Sequence, residues 1–138
     1  MVVKEMGENE CTIAIYLYGD DIRLGDASVL LGLTPTRSGN RGDQRTASSG
    51  TQSARKIGFW EYREVVSINE LDLSLSRLLR AITAKDAVVG LAGITRAELD
   101  IFKPIEPDDN PFGLSFDLSP CVLQRLAQLG LNLIVTAR

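Results

Sequence analysis

The segment CTIAIYLYG, residues 11–19, constrains the fold most, because it is a β-strand pattern without a single charge. Successive side chains of a strand point to opposite faces, so this segment divides into two uncharged sets. The sets are Cys11, Ile13, Ile15 and Leu17 on one face and Thr12, Ala14, Tyr16 and Tyr18 on the other. A strand of this kind needs at least partial cover on both faces, so we predict a sheet with this strand at its centre.

The best helix pattern lies in SINELDLSLSRLLRAIT, residues 67–83, and it predicts an amphipathic helix packed on the sheet. Its apolar residues repeat at the spacing of one helical face. They are Leu71, Leu75, Leu78, Leu79 and Ile82. Ser67 and Glu70 have the spacing of a capping box, and a start at Asn69 with Asp72 in the first turn is the alternative.

A second helix is predicted in SPCVLQRLAQLG, residues 119–130. Ser119 suits the N-cap, Pro120 suits the first helical position, and Gly130 suits the left-handed residue that follows a helix. The apolar residues expected to face inward are Val122, Leu123, Leu126 and Leu129.

Weaker patterns supply the remaining elements. A short helix from near Leu24 or Asp26 to Gly32 would pack Val29 and Leu30 inward. A further helical piece is expected from near Lys85 to Gly90 or Gly93, and strands at 56–66, 95–102, 114–118 and 131–137. Strands interleaved with amphipathic helices predict an α+β fold in the order β-α-β-α-β-α-β, with a mostly antiparallel or mixed sheet and helices packed on one face. One domain, residues 11–138, would follow a flexible N-terminus of residues 1–10.

A basic loop is predicted at residues 34–56, where glycines, serines and threonines replace apolar runs. Its five positive residues and one acid give a charge of +4, which leaves −7 for the rest of a chain of net charge −3. The charged residues are Arg37, Arg41, Asp43, Arg45, Arg55 and Lys56.

Two interpretations of this loop stay open. In the structural one, Gly42 and Asp43 form a turn and Arg37 pairs with Asp20 or Asp21. In the functional one, the arginines at 37, 41 and 45 grip phosphate or an acidic partner with their planar guanidinium groups.

The chain contains no histidine, which excludes several kinds of catalytic and metal site. It excludes Ser-His-Asp and Cys-His nucleophilic sites and mixed Cys/His zinc sites. The two cysteines, Cys11 and Cys121, lie in segments that resemble core and are expected to be reduced and buried. We expect no catalytic constellation and no cofactor.

Two further groups are weaker candidates for a site. The pairs Asp20–Asp21 and Asp108–Asp109 could hold a divalent cation if the fold joined them, although aspartates are also ordinary turn residues. Trp60 is a candidate binding aromatic on the sheet, with a role as core or edge anchor as the alternative.

Two motifs resemble the bacterial DUF4279 family of small proteins of unknown function. The first is LGLTPTR at residues 31–37 with the downstream Gly42 and Asp43, followed by the strand that carries Trp60. The second is FDLSPCVLQRLAQLGLNLIV at residues 116–135. The resemblance covers residues 11–135, with a longer approach to Trp60 than in the family pattern, and it implies no reaction.

Together these observations predict a cytoplasmic, non-enzymatic protein-interaction module of adaptor or immunity-like type. The alternative is a binder of small anionic ligands that uses the basic loop, and a carboxylate- or metal-dependent enzyme is the third reading. An isoelectric point near 5.0 argues against nucleic acid as the partner. No apolar run approaches the roughly 20 residues of a membrane span.

Overall fold

The computed structural model of the chain describes residues 9–46, 48–105 and 115–138. In this part of the chain seven strands, three α-helices and a 3₁₀ turn form. In chain order they are β1 (Glu10–Gly19), α1 (Leu24–Leu31), β2 (Arg37–Gly39), β3 (Gln44–Thr46), β4 (Gln52–Ala54), β5 (Gly58–Ser67), the 3₁₀ turn (Ile68–Glu70), α2 (Leu71–Ala81), β6 (Arg96–Lys103), α3 (Pro120–Leu129) and β7 (Asn132–Ala137).

Five strands form the main sheet in the order β2-β5-β1-β6-β7. β1 lies at the centre, antiparallel to both β5 and β6, which confirms the prediction from its two uncharged faces. β7 runs parallel to β6, so the sheet is mixed. β3 and β4 form a separate antiparallel hairpin.

The three helices pack on one face of this sheet, which confirms the predicted α+β class. The sheet contributes core residues from its helix-covered face. On β1 these residues are Cys11, Ile13, Ile15 and Leu17. The register places Leu17 beside Trp60 of β5 and Ala97 of β6. Leucines of α2 and α3 close the core from the other side.

Both main helix predictions are confirmed through their apolar stripes, but only α3 has its predicted side-chain cap, because α2 begins after Glu70 without a capping side-chain hydrogen bond. All five predicted core residues of the α2 region are buried. Ser67 Oγ accepts a hydrogen bond from the Asn69 amide, which starts the 3₁₀ turn before α2. Ser119 Oγ accepts from the Val122 amide, and Gly130 ends α3 with φ 69°.

Two residues predicted to face the core are exposed instead. On α1 the buried positions are Ala27 and Leu31, one turn apart, so Val29 between them points away from the sheet. On α3 the buried positions are Val122, Leu126 and Leu129, and the neighbouring Leu123 is exposed. A helix buries a narrow stripe when it lies on a flat sheet, and both residues fall outside that stripe.

The predicted helical piece at residues 85–93 is wrong, since this segment is a series of turns. Gly90 and Gly93 adopt φ 93° and 75°, as expected for residues that follow a helix, but residues 85–89 before them form no helix. A side chain at Gly93 would collide with the backbone carbonyl of Asp21, so this turn packs closely against the end of β1. The strand expected at 114–118 is also wrong for its described part, residues 115–118, which have no regular structure.

The loop prediction for residues 34–56 is wrong as well. Three short strands form in it, and β2 extends the main sheet by pairing with β5. The element order is therefore longer than predicted by three strands. Asn9 and Glu10, expected in a flexible N-terminus, are bonded, because Glu10 begins β1 and the Asn9 carbonyl accepts from Ile68. Residues 1–8 lie outside the described residues.

Candidate functional site

The face of the sheet opposite the helices is covered by no helix of the described ranges, and we call it the open face. Strand register assembles its side chains into rows. One row runs Arg37, Glu61, Tyr16 and Glu98 across β2, β5, β1 and β6. The next row places Phe59, Tyr18 and Arg96 side by side.

Glu61 is a carboxylate that is 1% exposed even though it lies on the open face. Arg37 covers it: its Nε and Nη2 each lie 3.2 Å from a Glu61 oxygen, the two-point geometry that suits a guanidinium and a carboxylate. The Arg37 guanidinium also lies 5.6 Å from the centre of the Phe59 ring. The sequence predicted Asp20 or Asp21 as the partner of Arg37, and this is wrong because β2 places Arg37 opposite Glu61.

A second pair of the same kind lies on the other side of β1. Arg96 contacts the carboxylate of Glu98, which is 5% exposed. The Arg96 guanidinium lies 5.4 Å from the centre of the Tyr18 ring. The open face therefore presents two arginines, each held by a buried glutamate and an aromatic ring.

The tyrosines of β1 lie between these pairs. The rings of Tyr16 and Tyr18 are stacked, with centroids 6.1 Å apart and planes 8° from parallel. Burial raises the pKa of both phenols, and Glu98 adds to the effect at Tyr18. A hydrogen bond with Tyr16 raises the pKa of Arg63. All of these shifts favour neutral phenols beside charged guanidinium groups.

A groove of about 350 Å³ runs along the β2–β5 side of the open face. Its floor is aromatic, and Arg55 lies over Phe59 with its guanidinium 4.4 Å from the ring centre. The lining residues are Tyr16, Tyr18, Arg37, Arg55, Lys56, Ile57 and Phe59. Among the described residues, Arg55 and Lys56 contact no carboxylate. The groove thus combines an aromatic floor with two cations available to an incoming anion.

The arginines predicted as one basic lip lie on three different segments of the chain. Arg37 belongs to the open face, whereas Arg41 reaches Asp21 and Asp20, with N–O distances of 3.4 and 3.9 Å. Arg45 lies on β3 opposite Ser53. The predicted arginine–aspartate contact therefore exists, but with Arg41 and not with Arg37.

Asp43 has the turn role that the structural interpretation predicted. Its carboxylate accepts a hydrogen bond from the Asn40 amide at 2.7 Å, and its backbone carbonyl accepts from Arg55. These contacts bring Arg55 back beside the sheet. Asp43 thus shapes the edge of the groove and does not line it.

Trp60 is not available to a partner, so the prediction that it is a binding residue is wrong. It is completely buried on the helix side of the sheet. Its indole Nε1 donates to Ser28 Oγ at 3.0 Å, so it anchors α1 to β5. The cysteine prediction is half right, because Cys11 is buried and Cys121 is exposed.

Asp20 and Asp21 form no cation site with other residues that the structure describes. Asp20 and Asp21 face Arg41. No group of three or more cysteine, aspartate or glutamate side chains among the described residues is close enough to hold a metal ion. Asp108 and Asp109 lie outside the described residues.

Comparison with models of known protein families shows which family the chain belongs to. The model of a domain of unknown function, DUF4279, matches residues 9–137. The chain belongs to the DUF4279 family. No curated protein and no solved structure matches this DUF4279 domain. None of its described helices has the length and apolar character needed to cross a bilayer.

The sequence analysis did not predict the row of Glu61, Tyr16 and Glu98 at the centre of the site, although the alternation of residues within two strands indicated part of it. The alternation in residues 56–66 places Phe59, Glu61 and Arg63 on one face, and that in residues 95–102 places Arg96, Glu98 and Asp100 together. The register that joins these sets around Tyr16 depends on long-range pairing, which alternation alone does not specify.

Proposed function

We propose that this DUF4279 domain is a non-enzymatic protein-interaction module that binds an acidic segment of a partner protein along the groove of its open face. The observation that carries the proposal is the position of Arg55 and Lys56, which contact no described carboxylate and border an aromatic floor. Arginine and aromatic residues are enriched where proteins bind one another, and cations arranged on one surface favour an oriented approach of an acidic partner.

Preorganisation supports the same proposal. Arg37 is fixed by the buried Glu61, and Arg55 is fixed by the Phe59 ring, so little side-chain freedom remains to be lost on binding. A guanidinium that already pairs with a glutamate still presents its outer N–H donors to a second acceptor. Acidic side chains of a partner would therefore meet donors that are already in place.

A non-enzymatic role is supported by the state of two carboxylates on this face. Glu61 and Glu98 are each covered by an arginine, so neither carboxylate is open to a substrate. Histidine, the usual proton-transfer residue near neutral pH, is absent from the chain. A module of this kind would act as an adaptor or an immunity-like protein in a bacterial cytoplasm.

A small anionic ligand is the second candidate, and the size of the groove favours it. The volume of about 350 Å³ falls in the range of ligand pockets, roughly 300–1,000 Å³. A phosphate or carboxylate on Lys56 and a planar group on the tyrosines would use the same residues. The two candidates differ in what must be supplied, a peptide or a small molecule.

Selection from a random peptide library displayed on phage tests the proposal. We expect the wild-type protein to enrich sequences rich in Asp and Glu, and the double variant Arg55→Glu/Lys56→Glu to lose this enrichment. The matched control is Arg77→Glu/Arg80→Glu, which makes the same charge change on the exposed surface of α2 and should keep it. Recovery of peptides without an excess of acids would contradict the proposal.

Thermal unfolding with inorganic phosphate, nucleoside monophosphates and dicarboxylates tests the second candidate. A ligand that binds only the folded protein raises its melting temperature by mass action. A rise that disappears in Arg55→Glu/Lys56→Glu and persists in the control variant would favour the small ligand over the peptide. No rise with any of these compounds would exclude their classes.

A further inference from the structure

The edge of the sheet at β7 is remote from the groove and has the features of a strand that pairs with another strand. β7 bonds to β6 on one side, and no strand of the described ranges pairs with its other side. An unpaired edge presents backbone N–H and C=O groups in the pattern that a further strand needs.

The two edges of the main sheet differ in how they are protected. β2, at one edge, is three residues long and carries Arg37 and Gly39. β7, at the other edge, has the sequence NLIVTA, without charge, glycine or proline. Edge strands that remain unpaired are usually short, charged or interrupted, so β2 is protected and β7 is not.

Apolar side chains border the unprotected edge. Leu133 and Val135 lie on the helix side of β7 and are 40% and 47% exposed. Leu123 on α3, the helix that packs on β7, is exposed as well. A strand paired with β7 would remove part of this apolar surface from water, which is the main favourable contribution to association.

We propose that the strand that pairs with β7 is β7 of a second copy of this chain, in antiparallel orientation. The charge pattern favours this occupant, because a strand without charges meets its own copy without like-charge repulsion. A strand paired with itself around a two-fold axis also closes the assembly at two copies, since each copy uses the unprotected β7 edge of its main sheet and the β2 edge is protected.

The alternation of the strand fixes which registers are allowed. Opposed residues of an antiparallel pair point to the same face, and a two-fold axis perpendicular to the sheet keeps the helices of both copies on one side. Only residues of the same face can then oppose each other. The central register is Ile134 opposite Ile134, with Leu133 of one copy opposite Val135 of the other.

This register also keeps charged residues out of the paired ends of β7. Asn132 of one copy lies opposite Thr136 of the second copy, so the opposed residues within β7 are uncharged and Arg138 lies beyond them. The two five-stranded sheets become one continuous sheet. Its outer edges are then the two short, charged β2 strands, which end the sheet.

Sedimentation velocity measures the association directly. We expect the wild-type protein to be a dimer, and Val135→Lys to be a monomer with an unchanged far-ultraviolet circular dichroism spectrum. Val29→Lys is the matched control, because it makes the same change at an exposed valine on α1 and should remain dimeric. A wild-type protein that stays monomeric at about 100 µM, where mass action favours association, would overturn the proposal.

Cross-linking tests the register. In a Cys121→Ser background, Ile134→Cys should form a disulfide between two copies on mild oxidation, since opposed Cα atoms lie about 4.5–5.5 Å apart, within the range of a disulfide. Val29→Cys in the same background should remain reduced. A dimer that persists in Val135→Lys, a dimer without cross-linking through position 134, or oligomers that grow beyond two copies would each contradict it.

Discussion

The guanidinium of Arg37 and the carboxylate of Glu61 form a two-point contact in which the exposed partner covers the buried one. The contact joins β2 to β5, so it also fixes the short edge strand on the sheet. Removing the guanidinium would leave a carboxylate that is surrounded by protein and has lost its main partner. The Arg37–Glu61 contact therefore stabilises the groove, and Arg37 also supplies a positive charge to its lining.

We expect Arg37→Ala to lower the free energy of unfolding by about 1–3 kcal/mol, the cost of leaving a buried polar group without its partner. Chemical denaturation measures the change. The control is Arg23→Ala, whose pair with Asp26 is exposed on both sides and should contribute no more than about 1 kcal/mol. Equal losses of unfolding free energy in the two variants would mean that Arg37 stabilises the protein no more than an exposed ion pair does, and that the buried Glu61 does not need it as a partner.

The core beneath the sheet gives a second prediction. Leu78 on α2 is buried in the main cluster, so Leu78→Ala should lower the free energy of unfolding by about 2–5 kcal/mol. Leu73, on the same helix and exposed, is the matched control, and its change to alanine should have a much smaller effect. A loss under about 0.5 kcal/mol for Leu78→Ala would show that α2 packs through another face.

Local signals account for the elements that could be predicted from the sequence. The stripe from Leu71 to Ile82 and the caps at Ser119 and Gly130 define helices through contacts within a few residues. The uncharged faces of residues 11–19 indicate a central strand through the alternation of side chains between two faces, which is also a local pattern. The helix predicted from Lys85 is wrong although glycines suited to a helix end follow it, because residues 85–89 form no helix before Gly90 and Gly93.

The site could be predicted only in part, because it depends on pairing across the sheet. Arg37 was recognised as a site residue, but its partner Glu61 lies in a strand that follows more than twenty residues later. β2 is three residues long, too short for an alternating pattern to be recognised. Trp60 was predicted as a candidate site residue but is a core residue. Its position in the alternation of β5 places it on the helix side of the sheet, beside Leu17, and not on the open face.

The two cysteines should differ in reactivity. Burial raises the pKa of the Cys11 thiol and also removes it from solvent, whereas Cys121 on α3 is exposed. We expect a thiol reagent to modify one cysteine in the folded protein and both in denaturant. Mass spectrometry after digestion should assign the first modification to Cys121. In Cys121→Ser no fast modification should remain; rapid modification of Cys11 would show that β1 is open to solvent.

Tyr62 provides a prediction at alkaline pH. Its hydroxyl donates to a Glu64 oxygen at 2.6 Å, and this bond, with a smaller contribution from burial, raises the pKa of Tyr62 from 10.0 to about 12. The folded protein therefore holds the phenolic proton over a pH range in which the unfolded chain releases it. The contribution of Tyr62 to stability is complete below pH 10.0 and is lost as the pH rises to about 12.

Two variants separate this contribution from those of Tyr16 and Tyr18, whose pKa values are also raised. Glu64→Gln removes the charged acceptor, so we expect Tyr62 to ionise nearer pH 10 in a tyrosinate absorbance titration. Tyr62→Phe should make the free energy of unfolding fall less steeply between pH 10 and 12 than in the wild type. An unchanged titration in Glu64→Gln would mean that burial, and not the hydrogen bond, holds the proton on Tyr62.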